Sequence, residues 1–212
     1  MEEKLPGKRL ASVTLCVQTV TNKELTRENS VLVDNNFLSK EETADVMSRV
    51  LLHGLDIPWT LAYNTDVPID NVEATSSYQF SAGLFYGMPA YEYFLKVFDR
   101  FCHKHHIKCD GITRMKLNWL PRSANGLSDI PHLPHVDSTD KHKVFLYYVN
   151  DSDGDTVFFN ELFDGTKKDQ FTESQRVSPE AGKGVVFDGH IYHASSSPIA
   201  SEYRCILNVD FI

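Results

Sequence analysis

From residue 112 to the last residue, apolar side chains recur in short bursts at a period no helix can use. Met115, Leu117 and Trp119 alternate with Arg114, Lys116 and Asn118, the pattern of a strand with two unlike faces. Further strand candidates follow at 143–149, 157–160, 184–188, 191–195 and 203–211, separated by turn-forming residues. Short strands at this spacing predict a sandwich or jelly roll. The preceding half reads differently. Ser39 with Glu42 forms a capping box, and Thr43, Val46, Met47, Val50 and Leu51 repeat behind it at helical spacing, with Gly54 to close the helix. Tyr91, Phe94, Leu95, Phe98, Phe101 and Cys102 mark a second amphipathic helix, started after Pro89. Residues 13–18 and 31–33 read as strands. Residues 56–90 read as irregular with short strands at most, 163–176 as an exposed loop or insertion, and Asp153-Gly154 as a hairpin turn.

A mainly β fold with flanking helices is therefore expected, as a single domain over 1–212. Residues 1–30 form an N-terminal extension, 31–111 a helical support and 112–212 the β core. Net charge is −8, so nucleic acid is an unfavourable partner, because phosphate binding needs a basic face. The first residues are polar, without a signal-peptide pattern, and no apolar run is long enough to cross a bilayer. A cytoplasmic protein is the expectation, monomeric or homodimeric, with Cys16, Cys102, Cys109 and Cys205 reduced and the sequon at Asn150 without meaning.

Within the β half, His135-Val136-Asp137 carries chemistry. On extended chain its first and third side chains point the same way. That provides one imidazole and one carboxylate, two-thirds of the facial triad that holds non-haem Fe(II) and leaves three positions open. A third ligand must fold back from downstream, where His190 and His193 compete. His190 adjoins Gly189 in a turn, the natural place for a solvated histidine. His193 lies within a strand beside Ala194 and Ser195, which leave room for a ligand, and is the expected one. Arg204 follows across the loop 196–202, and two antiparallel strands joined there would bring it near His193. An arginine inside an apolar barrel is costly unless it meets an anion, and its planar fork suits a carboxylate. The plainer reading is a rim arginine paired with Glu202 or Asp210.

Two other clusters are weaker. Asp151 to Asp155 suggests calcium, but an EF-hand needs Gly at position six and Glu at twelve, and here those requirements fail. Cys102 to Cys109 suggests zinc, but the cysteines are too far apart and no second ligand pair follows.

His135-Val136-Asp137, Leu146-Tyr147-Tyr148-Val149-Asn150, Gly154-Asp155-Thr156-Val157-Phe158, His193-Ala194 and Arg204, in that order, resemble the core of the Fe(II)- and 2-oxoglutarate-dependent dioxygenases. The likeness is to the prolyl-hydroxylase-like branch, including small members carried by phages of marine cyanobacteria. It covers residues 112–212, and 31–111 more loosely. The resemblance implies a double-stranded β-helix with metal at its open mouth. His135, Asp137 and His193 would bind Fe(II). Arg204 would pair with the distal carboxylate of 2-oxoglutarate, with the Tyr148 hydroxyl on the same carboxylate. Asn118 or Trp119 would stand on the strand lining the co-substrate pocket, where the branch's usual tyrosine is replaced. The implied reaction consumes 2-oxoglutarate and O2, with ascorbate as accessory reductant, and hydroxylates a C–H bond as succinate and CO2 leave. A peptidyl substrate, prolyl first, or a small molecule is expected. Oxidative demethylation of nucleobases is the alternative on the same fold, and a non-catalytic jelly-roll binding or structural module the alternative outside enzymes.

Overall fold

The computed structural model describes residues 31–52, 54–63, 78–123 and 131–212. The strand expected at 13–18 lies outside them. Among the described residues, ten strands and two helices run in the order β1 (Leu32–Asp34), α1 (Lys40–Leu51), β2 (Thr60–Tyr63), β3 (Tyr78–Gly83), α2 (Pro89–Lys104), β4 (Ile112–Pro121), β5 (Lys143–Tyr148), β6 (Thr156–Leu162), β7 (Glu173–Val177), β8 (Gly184–Asp188), β9 (Ile191–Ser195) and β10 (Tyr203–Phe211). Seven strands form one antiparallel sheet in the order β1-β8-β5-β10-β4-β3-β2, and β7-β6-β9 form a smaller one. Among the described residues no helix is long and apolar enough to cross a membrane.

Each helix begins where its residues dictate. Ser39 Oγ accepts from the Glu42 amide at 3.3 Å while the Glu42 carboxylate accepts from the Ser39 amide at 2.9 Å, so two amides lacking helical partners are satisfied. In α2, Pro89 occupies the first turn, where its missing N–H costs nothing. Both helices pack on one face of the large sheet. Phe94, Phe98 and Phe101 meet Met115 and Leu117 of β4, Phe145 and Tyr147 of β5, and Leu207, Val209 and Phe211 of β10. Complete burial of such a side chain contributes about 1.5–3 kcal/mol. The other face of the large sheet looks at the small sheet across a second core, where Val144, Leu146 and Tyr148 meet Phe158, Val177, Phe187, Ile191 and Ile206.

Both faces of β10 are thus covered, and its register decides what each presents. Arg204, Ile206, Asn208 and Asp210 stand opposite Leu120, Asn118, Lys116 and Arg114 of β4. With side chains alternating, these eight share the face turned to the small sheet.

Several expectations need correction. β5 and β6 lie in different sheets, so Asp153-Gly154 is part of a crossover and not a hairpin turn. The same holds for β9 and β10, which do not pair. Residues 173–177, read as exposed loop, form strand β7. It is an edge with its first three residues exposed, so it lacks the apolar alternation that marks a half-buried strand. β2 and β3, by contrast, are the short strands allowed for in the stretch 56–90.

The β5–β6 crossover is braced rather than loose. The Asp153 carboxylate accepts from the amides of Ile199, Ala200 and Ser201 at 2.8–2.9 Å. Partial burial pushes its pKa up, but those three donors outweigh it and hold the carboxyl well below the usual range. A depressed folded-state pKa contributes stability above the unfolded value, near pH 3.9, and that contribution is lost as pH falls further. Asp153→Ala should therefore cost about 2 kcal/mol at neutral pH in urea melts, and the gap from the parent should close below about pH 4. Gly154 is needed for space. A Cβ there would lie 2.6 Å from the Ser196 carbonyl oxygen, 3.0 Å from the Pro198 nitrogen and 3.2 Å from Arg204 Cδ. Gly154→Ala should lower stability by about 1–3 kcal/mol, measured by thermal denaturation, because backbone cannot move aside cheaply.

Candidate metal centre and anion pocket

The segment entering His135 runs beside β9. The His132 amide donates to the Ser195 carbonyl at 2.8 Å, and His135 and His193 exchange both backbone hydrogen bonds at 3.0 Å. Pro131 and Pro134 have no N–H to give, so neither adds a backbone donor to the hydrogen bonds made by His132 and His135. The His132 ring adds a clasp, with Nδ1 3.0 Å from Ser195 Oγ and Nε2 3.0 Å from Ser197 Oγ. Val136 turns the other way, against the apolar outer face of the small sheet.

The bridge brings the His135 and His193 rings to 4.7 Å between centroids. Asp137 comes in beside them, its Oδ2 3.5 Å from His193 Nε2. Ligand-type atoms of His135, Asp137 and His193 all lie within 4.8 Å of one another, an arrangement that could hold a metal ion. Both imidazoles are oriented alike. His135 Nδ1 lies 3.1 Å from the Leu133 carbonyl and His193 Nδ1 3.1 Å from that of Ile191. A proton on each Nδ1 makes Nε2 the basic nitrogen, the usual outer support of a metal-binding histidine.

Asp137 is almost wholly buried and enclosed by cations. Arg114 contacts Oδ1, Lys116 Nζ stands 3.9 Å from the same oxygen, and Asn208 Nδ2 donates to Oδ2 at 3.2 Å. Burial pushes its pKa up, but His193, Lys116 and Arg114 outweigh that and hold it well below the usual carboxylate range. Arg114 also pairs with Asp210 at 2.8 Å. Burial and the neighbouring Asp137 charge raise the pKa of Asp210, against the pull of Arg114, His142 and Lys116.

His135, Asp137 and His193 line a cavity that also takes in Lys116, Asn118, Thr156, Ser195, Arg204 and Asn208. Arg204 is 2% exposed. Among the described residues no carboxylate forms an ion pair with it, and its Nε is buried without a partner. Asp155 acts on it only at longer range and lies 3.8 Å from Arg176. Burial consequently lowers the pKa of the guanidinium. Its Nη2 donates to Thr156 Oγ1 at 2.7 Å, and the Tyr148 hydroxyl donates to the same oxygen at 2.7 Å. A threonine hydroxyl that accepts twice has its own proton left to give. Thr156 thus presents a donor to the cavity beside the guanidinium.

The expected residues divide as follows. His135, Asp137, His193, Arg204 and Asn118 line one cavity. Tyr148 lies outside its lining, behind Thr156, with its ring 5.8 Å beneath the Arg204 guanidinium carbon. Asn118 Oδ1 accepts from Ser81 Oγ at 3.2 Å, and Trp119 faces the helices. His190 stands in the β8–β9 turn, its ring against Phe163 and His142. Arg204 reaches the cavity from the large sheet, facing β9 across the sandwich, and not along a hairpin from His193. Thr156, Arg114, Lys116 and Asn208 were not singled out by sequence reasoning, although Thr156 sits inside a quoted motif. The cysteines at 102 and 109 and the acidic run at 151–155 join no metal-type cluster among the described residues.

No protein-family profile matches the chain, and no curated protein matches it. Solved structures do. The non-haem α-ketoglutarate-dependent epimerase of nogalamycin biosynthesis aligns with a TM-score of 0.63 at 10% identity, covering 88% of this chain and 79% of that one. A Pseudomonas putida prolyl-4-hydroxylase aligns at 0.55 and 16% identity, covering 86% and 92%. A Trichoplax adhaerens prolyl hydroxylase, solved with a hypoxia-inducible-factor peptide fragment, aligns at 0.55 and 14%, covering 87% and 84%. The chain folds as a double-stranded β-helix. In the double-stranded β-helix the large and small sheets are the two walls, and the His135–Asp137–His193 cluster and Arg204 both open into the space between them.

Proposed function

We propose that this chain is an Fe(II)- and 2-oxoglutarate-dependent oxygenase that hydroxylates a C–H bond of a peptidyl substrate, prolyl first, or of a small molecule. The observation that carries the reading is Arg204. A fully buried guanidinium with an unpartnered Nε, in the same cavity as two imidazoles and a carboxylate, calls for an anionic ligand. A dicarboxylate that chelates metal at one end and needs a cation at the other fits both halves. The donor set fits as well, since two nitrogens and one carboxylate oxygen suit Fe(II).

In this reading His135, Asp137 and His193 hold the metal and Arg204 pairs with the distal carboxylate. Thr156 donates its hydroxyl proton to that carboxylate, and Tyr148 orients Thr156 from behind. Leu120, Leu146 and Ile206 line the same cavity and limit water around the paired charges. Iron bound there supplies dioxygen activation coupled to decarboxylation of 2-oxoglutarate, giving succinate, CO2 and a hydroxylated substrate. Two of the structural neighbours are prolyl hydroxylases, which supports a prolyl peptide as the first substrate to try.

The test incubates purified protein with Fe(II), ascorbate and labelled 2-oxoglutarate, with and without proline-containing peptides. Iron-dependent succinate release is expected, stimulated by a true substrate. No succinate under any condition, together with no 2-oxoglutarate binding, would sink the oxygenase reading.

A further inference from the structure

The metal-facing carboxylate is gripped by a structure the reaction itself does not require. Arg114 and Asp210 are directly opposed on β4 and β10, and Lys116 and Asn208 form the next opposed pair on the same face. These two rungs lie under Asp137 and treat its two oxygens differently. Arg114 takes Oδ1, with Lys116 beyond it at 3.9 Å. Oδ2 faces His193 Nε2 at 3.5 Å and accepts from Asn208 at 3.2 Å. Arg114 is itself anchored, at 2.8 Å from Asp210 Oδ2. Asp210 is 3% exposed, and a carboxylate is not kept there without a cationic partner at low cost.

We propose that the Arg114–Asp210 rung is a positioning device that keeps Asp137 monodentate. The inference rests on the metal-centre reading above. An octahedral metal held by three protein atoms keeps three positions open. A chelating co-substrate needs two of them and dioxygen the third. A carboxylate binding through both oxygens would remove one. Arg114 prevents this by engaging Oδ1 through a guanidinium that cannot deprotonate, and Asp210 keeps the guanidinium from following Oδ1 towards the metal. Arg114 touches neither metal nor substrate in this scheme; it acts through Asp137.

The experiment loads the full chain with Co(II), whose visible absorption reports coordination number, and then titrates 2-oxoglutarate without oxygen. Arg114→Ala should still take up Co(II), but with an altered visible spectrum, and should bind 2-oxoglutarate at least about tenfold more weakly than the parent. Arg114→Lys, which restores a cation, should recover part of both. A folded Arg114→Ala protein with the parent's spectrum and the parent's 2-oxoglutarate affinity would overturn the positioning role and leave the metal centre standing. Should Arg114→Ala fail to fold, Asp210→Asn carries the same test, since it removes the anchor and leaves the guanidinium. An unchanged spectrum and affinity in that variant would equally overturn the proposal. A parent protein that takes up no Co(II) would remove the metal centre itself, and the clamp with it.

Discussion

Arg204→Met should nearly abolish 2-oxoglutarate binding while leaving the ligand-free protein at least as stable as the parent. The two effects have opposite signs because the guanidinium is buried and the described residues supply no anionic partner for it. Its Nη2 donates to Thr156, and among the described residues its Nε has no hydrogen-bond partner. Removing one member of a buried charge pair costs about 2–5 kcal/mol of binding, and a mid-range loss of about 3 kcal/mol weakens affinity by roughly 150-fold. Without ligand the balance reverses. Replacing a buried, poorly compensated charge by an apolar side chain of similar volume is neutral or stabilising by about 1–4 kcal/mol. Calorimetry with Mn(II) and 2-oxoglutarate measures the first effect, and urea denaturation of the apo protein measures the second. Unchanged 2-oxoglutarate affinity would point to another anchor, and marked destabilisation would mean that Arg204 serves the fold.

His193→Ala should remove metal binding, whereas His190→Ala should leave it within a few-fold of the parent. The two histidines are three residues apart and separated by the start of β9. His193 is turned into the cavity beside Asp137; His190 packs in the β8–β9 turn against Phe163 and His142. Loss of a direct ligand should weaken Mn(II) binding by at least about 100-fold, beyond the 10- to 100-fold typical of changes behind the ligands. Mn(II) titration followed by electron paramagnetic resonance separates the variants. Loss of binding in His190→Ala with retention in His193→Ala would reassign the third ligand.

Much of this architecture is legible in the residues because alternation and capping are local. Ser39 with Glu42 marks the start of α1, and the strands 184–188, 191–195 and 203–211 fall where their apolar pattern places them. The misses share a physical cause. Period two says that Arg114, Lys116 and Asn118 share a face, but not whether that face meets water or a cavity. Here Lys116 and Asn118 line the cavity and Arg114 and Lys116 reach Asp137, so residues that resemble a solvated surface serve the site. Turn chemistry has the same blindness. Asp153-Gly154 and the Ser/Pro-rich stretch at 196–201 show that the chain reverses, but not that it crosses to the other sheet. An edge strand such as β7, exposed over most of its length, carries no apolar signature to find. The partners of Arg204 and Asp137 come from strands distant in sequence, and only assembly of both sheets reveals them.

The alternation of β4 has a consequence for how such a protein can change. Lys116, Asn118 and Leu120 look into the cavity, while Met115, Leu117 and Trp119 pack with the helices. Substitutions at Lys116 or Asn118, together with Gln79 on the neighbouring strand, alter the cavity wall without touching Met115 or Leu117. A lineage or a directed library can therefore vary what this cavity accepts along one face of two adjacent strands. The packing that keeps the sheet folded is inherited, unaltered, on the other.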